Sequence, residues 1–367
     1  MKDFLKRYKI RLEVLTPIYI GSGQEINKKE YIYYKNTQQA WIPDKRKFLK
    51  DIIEKNLTDE FEKYMLRGTE PLLNWLKSKG YNDKEIQNLC EYHLDCSESL
   101  ENLNRPVAIQ QFMKDAYGMP YISGSSLKGA IRTSILGSRI LSNPKKYDKV
   151  RQDILNDKDK WNGKPNKKYL VAQGKKVEEV AFHTLNKVET VSDAKNDELR
   201  GIYISDSMPL KKECLVLCQK IDVNLERKKN SLNILRESIK PGTVVEFEMT
   251  IDTSITDVDE KEILQALQRT WEFYQEVYVK KFVNKTQEEG NLYLGGGCGF
   301  GTKTVLYQML GERSRVQIAS QLMHLKFPKH GHRNDTRKGV SPHMLKCTNY
   351  GGRLCEMGKC KIEIIQI

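Results

Sequence analysis

A chain of 367 residues with 39% hydrophobic and 30% charged residues can bury a sizeable core, which excludes a disordered or low-complexity protein. Its 62 lysines and arginines against 48 acidic residues leave a formal charge of +14, a balance suited to a polyanionic partner such as nucleic acid. No run approaches the ~20 apolar residues of a membrane span, and Met1–Arg7 lacks a signal-peptide pattern. A cytoplasmic protein is therefore expected, with its eight cysteines reduced.

Tyr8–Val14 alternates Lys9, Arg11 and Glu13 with Ile10, Leu12 and Val14, the period of a half-buried strand. Leu15–Gly23 follows as an apolar segment ending in a glycine turn, and Glu30–Lys35 is a second strand. Pro43 opens a helix whose Phe48, Leu49, Ile52 and Ile53 fall at helical spacing. From Thr58 to about Leu103 the pattern is helical and irregular, with helices over Glu60–Leu66, Pro71–Lys77 and Lys84–Leu94. It reads as an insertion because no strand interrupts it. Pro106–Met113 is a short strand. A helix runs over Ser125–Leu141 with Leu127, Ile131, Ile135 and Leu136 on one face and Ser125 or Ser126 as N-cap. Asn143–Lys187 is polar and lysine-rich, a loop or a flexible helical segment.

Gly201–Asp206, Glu213–Val223 and Thr243–Ile251 read as strands, with a turn at Pro241-Gly242. Asp257–Phe282 is a long amphipathic helix. The glycine-rich Gly295–Lys303 comes next, with residues after it that read as strand. Arg313–Lys326 is helical and Lys359–Ile367 is a closing strand. With insertions set aside the order is βαββαβ, an α+β arrangement of the RRM-like or ferredoxin-like kind. Strand 1 is Tyr8–Val14, helix 1 Ser125–Leu141, strand 2 Gly201–Asp206, strand 3 Thr243–Ile251 and helix 2 Asp257–Phe282. The segment around the glycine stretch supplies strand 4. The core is expected over residues 1–310, interrupted at about 55–105 and about 143–200. Residues 311–367 form a C-terminal helix, a basic loop and the closing strand.

Glycines fill five of the first seven positions of Gly295–Lys303. They permit positive φ and close approach by a phosphate or another backbone, here either RNA or the start of helix 1. Successive amides in such a turn can form an anion-binding nest, and Lys303 adds a point charge. A Walker A loop is excluded because Thr302 separates Gly301 from Lys303. A dinucleotide fingerprint is excluded because the glycines follow a long helix outside any βαβ unit. A glycine hairpin without ligand stands as the alternative. At the start of helix 1, backbone N–H groups, Ser125, Ser126 and Lys128 gather, with Arg132 one turn on. This suits an anion, or is simply a capped amphipathic helix. Phe300 can stack on a base or anchor its loop. The strand-1 aromatics at the usual RRM stacking positions are absent, since Tyr8–Val14 offers only Tyr8, so backbone recognition is expected rather than base reading.

Four of the six histidines fall between His324 and His343, beside Lys329, Arg333, Arg337 and Lys338. His330-Gly331-His332 has no recognisable partner for acid–base catalysis, so the stretch reads as a basic RNA-contacting loop. His343, Cys347, Cys355 and Cys360 lack the close ligand pairs of zinc fingers, and packing is the expected role of these cysteines. No metal or other cofactor is expected.

Three stretches in order, Leu15-Thr16-Pro17-Ile18-Tyr19-Ile20-Gly21-Ser22-Gly23, Tyr121–Arg132 and Gly295–Lys303, resemble the signature segments of the RAMP superfamily of CRISPR-associated proteins. Lys338–Lys346 followed by Glu356-Met357-Gly358, with the helical insertion, is similar to the subunit at the crRNA 3′ end of type III-A (Csm) effectors. The resemblance implies an RRM-like RAMP core in a non-catalytic RNA-binding subunit. Its partners would be crRNA, the adjacent backbone RAMP subunit, other Csm-complex subunits and host ribonucleases that trim the crRNA 3′ end, with no membrane partner. It implies RNA contacts from Gly21, Ser22, Gly23, Ser125, Ser126, Lys128, Arg132, Gly297, Gly299, Phe300, Gly301 and Lys303. The basic C-terminal residues Lys329, His332, Arg333, Arg337, Lys338 and Lys346 join them. No aspartate aligns with the cleaving aspartate of the backbone subunit. Ser123 stands where such proteins commonly have proline, giving SGSS. The alternative is a metal-independent RAMP endoribonuclease that processes CRISPR repeat RNA.

Overall fold

A computed structural model describes residues 4–96, 107–159, 169–283 and 289–367. Alternation shapes β1 (Leu5–Val14), which buries Tyr8, Ile10, Leu12 and Val14 and turns Arg11 to solvent. β2 (Gly21–Ile26), β3 (Ile32–Tyr34) and β4 (Gln39–Pro43) follow. The expected helix start at Pro43 is corrected here. Pro43 ends β4, and Asp44 caps α1 (Lys45–Glu54) by accepting from the Arg46 and Lys47 amides. Only Phe48 and Ile52 of the four expected apolar positions are buried, while Leu49 and Ile53 face solvent.

Next come α2 (Thr58–Arg67), α3 (Leu72–Ser78) and α4 (Asp83–Asn88), packed with β3 around Trp75, Tyr64 and Phe48. The helix expected over Lys84–Leu94 stops at Asn88, and Cys90–Cys96 is a strand, β5, paired with β4. A strand thus interrupts the stretch expected to be wholly helical. Pairing decides this: β5 lies between β4 and the central strands of a sheet, where its Leu94 is fully buried. The end of that expected insertion, residues 97–106, lies outside the described residues.

β6 (Ile109–Phe112) leads to α5 (Gly124–Ser142), which buries Leu127, Ile131, Ile135 and Leu136 as expected. The cap is Ser123 rather than Ser125 or Ser126, its hydroxyl accepting from the Ser126 amide. Among its described residues the polar Asn143–Lys187 segment holds two α-helices, α6 (Asp148–Asp159) and α7 (Val171–Phe182). β7 (Ile202–Ile204), β8 (Leu215–Val223), β9 (Lys229–Ile239) and β10 (Val244–Asp252) precede α8 (Glu260–Val277). β11 (Leu292–Tyr293) enters the glycine stretch. The residues after it are helical, as α9 (Leu306–Met309), not the expected strand. α10 (Glu312–Lys326), α11 (Asp335–Lys338), β12 (Leu345–Tyr350), β13 (Arg353–Glu356) and β14 (Lys359–Gln366) complete the chain.

Two sheets result. The first runs β11-β14-β1-β10-β7, with β1 antiparallel to both β10 and β14. The order of strands 1, 3 and 2 is the ferredoxin-like one. The strand beside β1 is β14, so the closing strand rather than the glycine segment takes position four. The second sheet runs β2-β6-β9-β8-β5-β4-β3, with the β12–β13 hairpin attached to β8. α5 and α8 pack together, and one core continues from β1 and these helices to β8 and β9. No helix among the described residues is long and apolar enough to cross a membrane.

Candidate nucleic-acid interface

The glycine stretch is pinned where the two sheets meet. The Gly296 amide donates to the Tyr19 carbonyl at 2.5 Å, the Leu294 amide to the Gly358 carbonyl at 2.8 Å, and the Gly358 amide to the Pro17 carbonyl at 2.9 Å. Gly295 holds φ +89°, and a Cβ there would run into the Tyr19 carbonyl. A Cβ on Gly297, at φ +96°, would sit 2.9 Å from Arg236 Nη1 and 3.0 Å from Met357 Sδ. Close approach is thus real, but the approaching groups are Tyr19, Arg236, Met357 and, at Gly301, Tyr274 of this chain. The start of helix 1 is not among them, which corrects that expectation. Gly299 is different again: it has φ +93°, and its nearest neighbours would be Tyr274 and Lys346 at 3.7 and 3.8 Å.

Beneath the loop lie three cations from three strands. Arg236 on β9 pairs across from Cys218, and Lys346 on β12 across from Asp222. Strand alternation puts Cys218, Lys220 and Asp222 on one face of β8. Arg236, Lys220 and Lys346 therefore share that face. The Arg236 guanidinium lies over the Tyr19 ring at 4.7 Å, and its Nε donates to Gln110 Oε1 at 3.1 Å. Its Nη1 is buried without a hydrogen-bond partner. Burial pulls the Arg236 pKa below its ordinary value. Lys220 is lowered too, first by burial, then by Lys346 and, more weakly, Arg236. The carboxylate that answers them is Asp222, bonded to Lys346 Nζ at 2.8 Å. Three cations face one carboxylate, with Arg236 Nη1 buried without an acceptor and Asp222 Oδ1 without a donor, which leaves the cluster with excess positive charge. The arrangement favours a bound anion. Lys303 stands exposed at the loop exit.

The structure brings Gly297, Gly299, Gly301, Lys303 and Lys346 together here. Gly21, Ser22 and Gly23 are exposed where β2 begins, on the outer strand of the second sheet, with Ser22 Oγ donating to the Gln111 carbonyl at 3.4 Å. Phe300 is half-buried against the main core and lines a mostly apolar cavity of about 650 Å³ between α7 and α10. The helix-start group is separate and internally engaged. The Gly124 amide donates to Asp206 at 2.8 Å, and Ser126 Oγ bonds Ser123 Oγ at 2.8 Å, while Ser125 is exposed. Lys128 Nζ donates to the Ile202 carbonyl at 2.6 Å and is lowered in pKa by burial. Arg132 pairs with Asp197 at 2.7 Å and Glu178 at 2.9 Å. At this helix start Gly124, Lys128 and Arg132 are thus engaged by the chain's own groups.

Of the C-terminal residues, Lys329, Arg333, Arg337 and Lys338 are exposed, with Arg333 Nε donating to His324 Nε2 at 2.8 Å. His332 is buried against Asp335 and is not a loop contact. Sequence reasoning missed Arg236 and Lys220. Only the alternating Leu232, Ile234 and Arg236 hinted at a strand with a cation on its inner side.

Fold and site together define an RRM-like α+β protein with a cation-backed glycine loop. The chain belongs to the RAMP superfamily, whose model matches residues 11–301. It is 29% identical over 322 residues to the CRISPR system Cms protein Csm5 of Streptococcus thermophilus, covering 85% of this chain and 83% of that protein. The Csm5 of Mycobacterium tuberculosis (strain ATCC 25618 / H37Rv) is 25% identical, with 99% of each chain covered. The fold resembles a subunit in a Csm–crRNA–target RNA ternary complex of a type III-A CRISPR-Cas system. The TM-score is 0.65 at 17% identity, over 98% of this chain and 100% of the other. It also resembles the crystal structure of T. onnurineus Csm5, with TM-score 0.60, 18% identity, and 96% and 99% coverage.

Proposed function

We propose that this chain is a non-catalytic, cytoplasmic RNA-binding subunit of a type III-A (Csm) CRISPR complex in antiviral defence. It holds the 3′ part of the crRNA, abuts the adjacent backbone RAMP subunit, and supports complex assembly and trimming of the crRNA 3′ end by host ribonucleases. Likeness to Csm5 proteins over nearly the whole chain supports this role. The observation that carries the chemistry is the Arg236–Lys220–Lys346 cluster under the glycine loop, with Arg236 Nη1 lacking an acceptor. A phosphate oxygen supplies that acceptor without regard to base identity.

The test is a Lys220→Ala/Lys346→Ala double variant, titrated by fluorescence anisotropy with two single-stranded RNAs of unrelated sequence. Expected is an equal loss for both RNAs and a salt slope shallower by about 0.7 for each phosphate contact removed. Unchanged binding, or loss for one sequence only, overturns the proposed contact. Co-expression with Csm subunits then asks whether the variant leaves crRNA 3′ ends untrimmed.

A further inference from the structure

We propose that His332, Asp335 and His343 form a site for one divalent transition-metal ion of the zinc type, which fastens the basic C-terminal segment to α10. These residues are separate from the glycine-loop cluster, and the inference does not rest on RNA binding. The three side chains come from different short elements: the turn His332–Asn334, the first residue of α11, and the stretch before β12. All three are buried, Asp335 completely. His332 Nδ1 lies 2.9 Å from Asp335 Oδ2 and His343 Nδ1 2.5 Å from Asp335 Oδ1. Donor atoms of the three fall within 4.8 Å of one another, the one such grouping of three or more among the described residues. His343, Cys347, Cys355 and Cys360 are not brought together as a metal-binding set. Instead His343 turns to His332 and Asp335.

A hydrogen-bonded staple explains part of this geometry, because two neutral rings can each donate Nδ1–H to one carboxylate oxygen. It leaves one group unanswered. Asp335 is then a wholly buried carboxylate with no cation. A divalent ion resolves this. It neutralises Asp335 and takes a lone pair from each neutral imidazole, with a water completing its shell.

Two imidazoles and one carboxylate suit zinc and its neighbours, whereas calcium and magnesium prefer oxygen ligands, often with bound waters. Tetrahedral ligand bonds of roughly 2.1 Å place donors about 3.4 Å apart, so a set whose donors lie within 4.8 Å of one another closes by side-chain adjustments of up to about 1.4 Å. The position gives the ion a task. Ser320 Oγ on α10 holds the His332 carbonyl at 2.7 Å, and Tyr278 Oη donates to the Pro342 and Met344 carbonyls at 3.0 and 2.9 Å. An ion between these anchors fixes the exposed Lys329, Arg333, Arg337 and Lys338 around it.

The experiment uses the full chain, stripped with a strong chelator and reloaded with Zn²⁺ or Co²⁺. One equivalent of zinc is expected by elemental analysis. Cobalt should give a visible d–d spectrum without the near-ultraviolet band of thiolate ligation. Asp335→Asn and His343→Ala should lower affinity by more than the roughly 10–100-fold that losing an outer-shell partner costs. Far-ultraviolet circular dichroism checks that each variant folds. A chain that takes up no metal, a cobalt spectrum showing thiolate ligation, or folded variants that keep wild-type affinity overturns the site. The wild-type cobalt spectrum decides the matter even where a variant fails to fold.

Discussion

Arg236→Met separates a cation kept for a ligand from one kept for the fold. In the free protein this residue has one hydrogen bond, to Gln110, and a place over the Tyr19 ring. Losing them costs about 1 kcal/mol for the bond and ~0.5–2 kcal/mol for the cation–π contact. Against that stand a buried Nη1 without partner, whose relief returns about 1–3 kcal/mol, and repulsion from Lys220. Methionine refills the space with an adaptable apolar chain. The terms nearly cancel, so stability should move by no more than about 1 kcal/mol, a Tm change of a few degrees. Binding should respond differently. A charge-assisted hydrogen bond to phosphate is worth ~1.5–3 kcal/mol, or about 10- to 150-fold in Kd. The salt slope should fall by about 0.7. Thermal unfolding and RNA anisotropy over a salt series read both quantities on one preparation. A variant that loses several degrees of Tm while binding RNA as before would make Arg236 a structural residue and sink the phosphate seat.

Four further outcomes follow from packing. Lys114→Met should destabilise by about 3–5 kcal/mol in urea unfolding, because Lys114 answers the fully buried Glu237 carboxylate at 2.9 Å; a loss under about 1 kcal/mol would contradict the burial argument. Gly295→Ala should cost at least ~1–3 kcal/mol in backbone strain, with the Tyr19 carbonyl clash added. Gly129→Ala, exposed on α5 with open space around it, should stabilise by roughly 0.5–1 kcal/mol; equal effects of the two substitutions on Tm would refute the glycine assignment. Arg132→Ala should lower Tm through its lost pairs with Asp197 and Glu178 while leaving the RNA salt slope unchanged, and a shallower slope would return this residue to the RNA surface.

Strong periodicity was readable. β1, β10, α8 and α10 lie close to where alternation or helical spacing puts them. β5 was not readable, because its Cys90–Cys96 sequence follows a helix without a break and only pairing with β4 and β8 makes it a strand. β9 escaped for a related reason: its first residues are exposed and polar, and its inner face is legible only beside β8. The glycine stretch was correctly marked as unusual, but its neighbours are non-local. Tyr19 is far upstream and Met357 far downstream; both lie in stretches the resemblance marks, but no local pattern pairs either with the glycines. The cations Arg236 and Lys220 belong to that same class, converging through sheet register rather than through a motif. At the helix start local chemistry suited an anion, while Asp206, Ile202 and Asp197, all distant in sequence, engage donors there.

The position of β14 sets the order in which a ribosome can deliver a working molecule. β1 emerges early, yet its edge stays unpaired until Lys359–Gln366 arrives to register against it. The same late segment supplies the Gly358 carbonyl that receives the Leu294 amide, and Met357, which packs beside Gly297. Lys346 comes only slightly sooner. Sheet closure and the cationic loop are therefore finished in one late event of high sequence separation, the slow kind of contact to make. A nascent chain stalled before that point exposes an open strand edge prone to wrong pairing. Only a chain translated past β14 presents the finished loop.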